Sequence, residues 1–404
     1  MKLDVQFKEF LSQIRPTDPQ QEAWRAAAKT LRDRLAADSD LKNVVVSTFL
    51  QGSIRRATAI RPLGEKRPDV DIVVVTNIDH EKVRPEDAMN LFVAFLDKYY
   101  KEKWRPQGRS FGITMSAVDM DLVITALPRP SGTPRGITED ASLTAASDIA
   151  AIYRSDAARS LDTLEDDMSW RLNVGWRQRN VFDELGRRAP MLTESVTQVL
   201  DDAPPQGWKD NPLWLPDRDT KTWGRTHPLL QISWTAEKNR RTNRTYLNVV
   251  RVIKWWRLEK AEKLPKYPKG YPLEHMVGYL LEDGSDLTTA EGVVQVFEAF
   301  RDQWLSRARA RDVPALADHG VAEHNVLARL SPEDFEAFVE IVNGFAALAR
   351  EALEAEDAAV SGALWRRMLG DRFPLPPPRG GDRVPAQFAA PPAVTSVARS
   401  DRFA

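Results

Sequence analysis

The chain has 404 residues, of which 42% are hydrophobic, so it is long enough for two or three domains or lobes with a substantial core. Its 57 Lys and Arg residues nearly balance its 58 Asp and Glu residues, which gives a formal net charge of −1. No overall field draws such a protein to nucleic acid or to an anionic membrane, so any affinity for phosphate must be local. Because the chain has no cysteine and only 5 histidines, disulfides and a cysteine-based zinc site are excluded.

The sequence also predicts a cytoplasmic protein. Its first residues, MKLDVQFKEF, are too charged for a secretory signal. No apolar run approaches the roughly 18 residues that a membrane-spanning helix needs. We therefore expect neither insertion into a membrane nor a membrane partner.

The first elements predicted along the chain are a helix and a strand. Asp18 and Pro19 are a typical N-cap and first-turn pair for the helix QQEAWRAAAKTLRDRLA. The apolar run at 44–51 predicts a buried strand, which Gly52 and Ser53 follow directly. A glycine there lets the backbone approach a polyphosphate closely, while the serine and nearby amides donate hydrogen bonds to its oxygens. The alternative interpretation of this pair is an ordinary turn.

Two aspartates begin the next predicted strand. Asp69 and Asp71 flank Val70, and an apolar run from Ile72 to Val75 follows them. Because alternate side chains on a strand point to one face, both carboxylates meet at the edge of a sheet. With Asp121 on a later strand, three carboxylates can hold two divalent cations about 3.5–4 Å apart, which stabilise the attacking and leaving oxygens of an in-line phosphoryl displacement. Taken alone, an Asp-Val-Asp pattern also suits a strand edge that faces water.

The remaining segments predict further strands of this sheet and then a series of helices. PEDAMNLFVAFLDKYY predicts a helix, and FGITMS and MDLVITALP predict two strands. The segment at about 129–211 is predicted to be mostly helical, without an assignable role. Beyond Leu273 the chain predicts helices, with Ser331 as a cap and Gly370 at the last helix end. The segment 372–404 is rich in proline, glycine and alanine, which predicts a flexible tail because it cannot bury enough surface to offset the entropy of ordering.

The segment LNVVRVIKWWRLEK predicts a helix with one buried face. Apolar residues recur along it at helical spacing, at Leu247, Val250, Ile253 and Trp256. This spacing leaves Arg251 and Lys254 on or near the opposite flank. Read from the residues alone, the segment is a buried helix with a solvated basic edge.

Three blocks of the sequence carry a resemblance to a known family. The Gly-Ser pair, the Asp-Val-Asp strand and the later aspartate resemble the DNA polymerase β-like nucleotidyltransferases, and within them the bacterial cyclic-oligonucleotide synthases related to cyclic GMP-AMP synthase and oligoadenylate synthase. The block 223–281 is similar to those synthases' helix with a lysine and tryptophans, followed by a loop and a tyrosine that opens the next helix. The fragment HNVLARLSPEDFEAF is similar to the family's late Asn-Val segment. Together the blocks cover well over half of the chain.

The resemblance implies an α+β fold, in which a polymerase β-like sheet lobe packs on a helical C-terminal lobe. We accordingly expect a catalytic lobe at residues 1–212, with a helical insertion at about 129–211. A helical lobe at 213–371 and the flexible tail at 372–404 complete the expected organisation.

The same resemblance assigns a metal site. Asp69, Asp71 and Asp121 would hold two Mg²⁺ ions, for which Mn²⁺ is an alternative. Asp119 is the competing third ligand, because it lies two residues before Asp121 and shares its face. We prefer Asp121, since the apolar residues 122–124 behind it resemble the family's continuation of this strand.

The nucleotide-binding residues also follow from the resemblance. Gln51, Gly52 and Ser53 would contact the nucleotide beside the metal site. Lys254 lies where the family places a lysine on the phosphates, a task that suits an ammonium as a point charge. Tyr271 lies where the family stacks an aromatic ring on a nucleobase, which would accept different bases. The alternative for Tyr271 is a core tyrosine at a helix start.

The implied activity is synthesis of a cyclic di- or trinucleotide second messenger from ATP, alone or with other nucleoside triphosphates, with release of pyrophosphate, in anti-phage signalling. One alternative is a transferase that acts on RNA or protein without cyclisation, which the neutral chain disfavours. Another is a non-catalytic nucleotide-binding regulator, which the three carboxylates disfavour.

The resemblance also bears on partners. The animal DNA sensor of this family grips duplex DNA with a zinc-held thumb, for which this chain lacks cysteines, so we expect no obligatory DNA activator. Some relatives have a C-terminus that is joined to other molecules, so the tail is a candidate for conjugation or for a regulatory protein partner. The alternatives are a dispensable disordered terminus and a tail that folds back along the enzyme.

Overall fold

The structure is a computed structural model, and it describes residues 1–64, 66–128, 209, 211–284 and 286–377. The expected helical insertion at about 129–211 lies outside these residues except for Lys209 and Asn211. Residues 378–404 of the expected tail lie outside them as well. The insertion and the flexible tail therefore stay predictions.

Seven strands form one mixed sheet in the described part of the chain. They are β1 (Val45–Leu50), β2 (Asp69–Thr76), β3 (Trp104–Pro106), β4 (Phe111–Thr114), β5 (Asp119–Ala126), β6 (Leu213–Asp217) and β7 (Thr222–Thr226). Their order is β1-β2-β5-β4-β3, with β6 pairing to both β5 and β7. Strands β2 and β5 are parallel, and the other pairs are antiparallel.

The helices precede, interrupt and follow the sheet. They are α1 (Asp4–Ile14), α2 (Asp18–Ala37), α3 (Gly52–Arg55), α4 (Pro85–Asn90), α5 (Val93–Tyr100), α6 (Pro228–Arg241), α7 (Tyr246–Glu259), α8 (Tyr271–Leu280), α9 (Thr289–Arg309), α10 (Pro332–Glu354) and α11 (Ala358–Leu369). The expected α+β fold is confirmed. Among the described helices, none is both long and apolar enough to cross a bilayer.

The central strand β2 is covered on both faces. Val70, Ile72 and Val74 belong to the main core, which also contains the fully buried indole of Trp256 from α7. Val73 and Val75 point to the other face and pack in a second, smaller cluster. Because alternate residues share a face, Asp69 and Asp71 lie on the side of this smaller cluster, beyond its apolar end.

Helix α2 begins one residue earlier than the sequence suggests. The cap is Thr17, whose hydroxyl accepts a hydrogen bond from the Gln20 amide at 3.4 Å, while the Gln20 side chain bonds the Thr17 amide at 2.9 Å. This reciprocal capping box satisfies two free amides, and Asp18 is therefore the first helical residue instead of the cap. The cap expected at Ser331 is confirmed, since its hydroxyl accepts from the Asp334 amide at 3.1 Å.

Two further expectations on local structure are corrected. The single helix expected over residues 85–100 is two helices, because the Phe92 amide bonds the Met89 carbonyl three residues back and tightens the turn between α4 and α5. Residues 213–226, expected in the helical lobe, instead form β6 and β7 and extend the sheet. The signal for these short strands was weak, since Pro216 and Gly224 interrupt their patterns. The division into lobes stays a prediction.

Candidate active site

Three aspartates converge at one edge of the sheet. Asp69 and Asp71 are the first and third residues of β2, and the parallel register places Asp71 beside Asp121 on β5. One carboxylate oxygen from each of Asp69, Asp71 and Asp121 lies within 4.8 Å of the others. The expected meeting of three carboxylates on neighbouring strands is thus present in the structure.

Asp119 lies outside this group, although it was the alternative to Asp121. It is paired with Asp69 in the strand register, and its carboxylate accepts a hydrogen bond from Arg67 at 3.4 Å. Its side chain is 44% exposed at the margin of the site. The geometry therefore favours Asp121 as the third member of the cluster.

The cluster resists ionisation of its members. Loss of hydration, and after it the negative charges of Asp71 and Asp121, together raise the pKa of Asp69 to about 7. Asp69 is the most exposed of the three, so water moderates this shift. Burial, then Asp71, raises the pKa of Asp121 to about 6. Burial also raises the pKa of Asp71. Such mutual repulsion is what a cation bound between the carboxylates would relieve.

Gly52 is the point where the backbone of the Gly-Ser loop passes against Asp71. Its φ of +71° lies in the left-handed region that glycine adopts at little cost. A Cβ added there would lie 1.8 Å from the Asp71 Oδ2. The preceding Gln51 amide bonds the Asp71 carbonyl at 2.9 Å, which fixes the loop to β2. The sequence predicted a close approach of this glycine to phosphate, and the structure adds its close approach to a carboxylate.

We expect Gly52→Ala to reduce turnover on the order of 100-fold, because the new methyl group displaces Asp71 or the loop from the site. Gly64→Ala is the matched control. Its φ of +62° imposes similar backbone strain, but no described atom lies within 4 Å of the added Cβ. Steady-state rates of both variants measure the difference. Equal losses in the two would show that strain, and not the contact with Asp71, decides the effect.

A buried ion-pair cluster lies behind the aspartates. Arg56 Nε donates to Glu274 Oε2 at 3.0 Å, and Lys254 Nζ donates to Glu274 Oε1 at 2.8 Å. The Glu274 side chain is only 2% exposed. Burial alone would raise the pKa of Glu274, but Arg56 and Lys254 outweigh it and lower that pKa to about 2. Both cations also favour the charged form of Asp71, so they set the potential of the site.

The interpretation of α7 as a helix with a solvated basic edge is wrong. Arg251 is fully buried and Lys254 is mostly buried. Arg251 Nη2 donates to the Ala57 carbonyl, and Lys254 Nζ donates to the Thr58 carbonyl at 2.9 Å. The two cations are buried because they bind the backbone that follows the Gly-Ser pair, a long-range contact that helical periodicity does not reveal. Helix α7 thereby holds this loop in place.

Tyr271 opens helix α8, as expected. The Arg56 guanidinium lies over its ring at 4.9 Å from the centroid. The His275 ring meets it edge to face at a centroid distance of 5.8 Å. The ring is thus held among polar groups of the site, next to the ion pairs of Arg56, instead of in the apolar core.

Sequence reasoning missed three residues at the site: Arg56, Glu274 and Gln107. Two of them lie close in the sequence to residues that had been predicted. Arg56 belongs to the QGSIRR segment, and Glu274 follows Tyr271 by three residues on one helix face. Gln107 donates from Nε2 to Asp121 Oδ1 at 3.0 Å. Its position in a loop gave no sequence signal.

Comparisons with known proteins agree on one family. Residues 1–127 match the family model of the Second Messenger Oligonucleotide or Dinucleotide Synthetase domain. A probable cyclic AMP-AMP-GMP nucleotide synthase of Salmonella paratyphi B is 52% identical over 404 residues, covering 100% of both chains. A cyclic AMP-AMP-GMP synthase of Enterobacter hormaechei is 50% identical over the same span, again 100% of both chains. A cyclic AMP-AMP-AMP synthase of an Acinetobacter species is 28% identical over 380 residues, or 93% of this chain and 86% of the other.

Solved structures share the fold. The CdnG protein of Bradyrhizobium diazoefficiens, in complex with GTP, superposes with a TM-score of 0.60 at 11% identity, covering 91% of this chain and 94% of the other. The CdnC protein of E. coli MS115-1, in a complex with HORMA-deltaN, gives a TM-score of 0.58 at 15% identity, covering 92% and 98%.

The chain belongs to the bacterial cyclic-oligonucleotide synthases. It is a nucleotidyltransferase that makes a cyclic oligonucleotide second messenger from nucleoside triphosphates. A transferase that acts on RNA or protein and a non-catalytic regulator, the two alternatives left open by the sequence, are not favoured.

Proposed function

We propose that the enzyme joins two adenylates and one guanylate, from ATP and GTP, into cyclic AMP-AMP-GMP. The observation that carries this proposal is the identity of 52% and 50%, over the full length, to two proteins named for that product. The relative named for a cyclic product with adenylates alone is only 28% identical.

We propose that Asp69, Asp71 and Asp121 hold two Mg²⁺ ions, with Mn²⁺ as a functional substitute. The residues fit such ions, because their three carboxylates supply the oxygen ligands that Mg²⁺ prefers. Burial and then mutual repulsion raise the pKa values of Asp69 and Asp121, and bound cations would relieve that repulsion. When bound, the ions stabilise the charge on the attacking and leaving oxygens of an in-line displacement.

The surrounding residues bind the nucleotide. The amides near Gln51 and Gly52 and the Ser53 hydroxyl lie beside Asp71 and are suited to the triphosphate. Lys254 uses two of its three N–H donors on Glu274 and Thr58, which leaves the third for a phosphate oxygen. Arg56 covers one face of Tyr271, and we assign the opposite face to a nucleobase.

In each transfer the ribose hydroxyl of one nucleotide attacks the α-phosphate of another, and pyrophosphate leaves. Asp121 accepts the proton of the hydroxyl, a role for which a carboxylate placed beside the reacting groups is suited. Gln107 occupies its Oδ1, so Oδ2 is the oxygen that takes the proton. Three transfers consume three nucleoside triphosphates, release three pyrophosphates and close the ring.

The product is tested with purified enzyme, Mg²⁺ and labelled ATP, with and without GTP. After phosphatase treatment we expect a resistant product only when both nucleotides are present, since a ring has no terminal phosphate. Mass spectrometry should give two adenylates for each guanylate. A resistant product from ATP alone, in equal yield, would identify an adenylate-only synthase. Products that phosphatase degrades completely would contradict cyclisation.

We further propose that the product serves in anti-phage signalling and that a protein partner acts on the enzyme. Support for a partner comes from the related fold of CdnC, which was solved in a complex with HORMA-deltaN. The tail remains the candidate for conjugation or regulation, and residues 378–404 lie outside the described structure.

A further inference from the structure

The loop between β3 and β4 places a glutamine against the aspartate cluster. Gln107 Nε2 donates to Asp121 Oδ1 at 3.0 Å. The Ser110 hydroxyl donates to Gln107 Oε1 at 2.9 Å. Because Oε1 accepts the bond from Ser110, the side-chain amide is oriented with its Nε2 donor toward Asp121.

This loop is held by the turn between β6 and β7. The Arg218 amide donates to the Gly108 carbonyl at 2.7 Å, and Arg218 Nη1 donates to the Gln107 carbonyl at 3.2 Å. Arg109 Nε donates to Asp217 Oδ2 at 2.6 Å, which ties the two turns together a second time. The backbone of Gln107 is therefore fixed independently of its side chain.

The fit around the glutamine amide is close. Gly112 lies opposite Asp121 in the register between β4 and β5. A Cβ at Gly112 would lie 2.6 Å from Gln107 Nε2 and 3.5 Å from Asp121 Oδ1. The absence of a side chain at Gly112 therefore provides the space in which the amide reaches the carboxylate.

We propose that Gln107 is a positioning residue for nucleotidyl transfer, which holds one oxygen of Asp121 so that the other faces the reacting groups. This inference rests on the proposed role of Asp121. A neutral donor suits the task, because it orients the carboxylate without cancelling the negative charge that binds a cation. Partners of this kind, which orient a metal ligand, typically change metal affinity or activity by about 10- to 100-fold when removed.

Gln107→Ala tests the proposal. We expect turnover to fall about 10- to 100-fold with KM for the nucleotides little changed, because Asp121 loses its orientation while the nucleotide-binding residues remain. Calorimetric titration of the nucleotide-free protein with Mn²⁺ should show weaker binding by a similar factor. Higher Mn²⁺ should restore part of the rate. Gln13→Ala is the control, since Gln13 bonds only Glu9 on the exposed side of α1 among the described residues.

Ser110→Ala provides a second variant that keeps Gln107 in place. It removes the bond that orients the amide, so we expect an intermediate loss of turnover and of Mn²⁺ affinity. Melting temperatures without metal verify that both variants fold. Wild-type Mn²⁺ affinity and turnover in Gln107→Ala would overturn the inference about Gln107. Wild-type turnover in Asp121→Asn would instead refute the proposed metal site itself, so the two failures are distinguishable.

Discussion

Replacing Asp69 and Asp71 together by asparagine should abolish synthesis of the product while the protein remains folded. Both side chains lie at the edge of the sheet, where their removal opens no cavity in the core. A loss of about 4 kcal/mol in transition-state stabilisation lowers the rate roughly 1,000-fold. Initial rates with saturating nucleotides and Mg²⁺ measure the effect. A double variant that retains even a tenth of the parent rate would contradict the assignment of the metal site.

The same variant should be more stable than the parent in the absence of metal. The folded-state pKa of Asp69 is raised to about 7, above its unfolded value near 4, so its ionisation opposes folding. In the metal-free parent, the free energy of unfolding should therefore rise as the pH falls from 8 toward 5. The asparagine variant lacks the Asp69 part of this rise. Urea unfolding with a chelator at the two pH values tests this, and identical pH dependence in both proteins would contradict it.

Glu274→Gln should cost about 3–5 kcal/mol in the free energy of unfolding, the range found when one partner of a buried ion pair is removed. The amide keeps the shape of the carboxylate but leaves the charges of Arg56 and Lys254 without their shared anion. Because the pKa of Glu274 is lowered to about 2 in the folded protein, its contribution to the free energy of unfolding is fully present at pH values above its unfolded pKa near 4.5. It is lost progressively as the pH falls from that value to about 2.

Glu340→Gln is the matched control for this variant. Glu340 accepts a hydrogen bond from Arg309 at 2.6 Å, but their side chains are 40% and 59% exposed. An exposed pair contributes about 0–1 kcal/mol, so the same chemical change should have little effect there. Chemical denaturation at neutral pH compares the two variants. If Glu274→Gln costs no more than Glu340→Gln, the buried cluster does not stabilise the fold in the way described.

The shared face of Asp69 and Asp71 was predictable from the sequence because it depends on a local rule. The spacing of Asp69 and Asp71 on one strand fixes their shared face, and the family resemblance supplied Asp121 on a neighbouring strand. Asp119 lies two residues before Asp121 on the same strand and shares its face, so spacing alone does not separate the two. The distinction between them depends on where the carboxylates lie in space, which only the structure provides.

Burial of charge was the part that the sequence did not predict. A helical pattern identifies the apolar face of α7, and it treats Arg251 and Lys254 as solvated by default. Their burial depends on carbonyl groups of Ala57 and Thr58, which lie far away in the chain. The contact of Gln107 with Asp121 was missed for the same reason, since it depends on the loop between β3 and β4 and on the distant turn between β6 and β7 that holds it.

The parallel pairing of β2 and β5 has a consequence for when the enzyme acquires its activity. Parallel neighbours cannot be joined by a tight hairpin, so the chain must first complete the crossover through α4, α5, β3 and β4. The site therefore forms only with long-range topology, which is slow to assemble. A one-residue slip between these strands would separate Asp71 from Asp121 without changing either residue. The site is therefore assembled only once β2 and β5 have paired, and we expect chains without this pairing to produce no cyclic oligonucleotide.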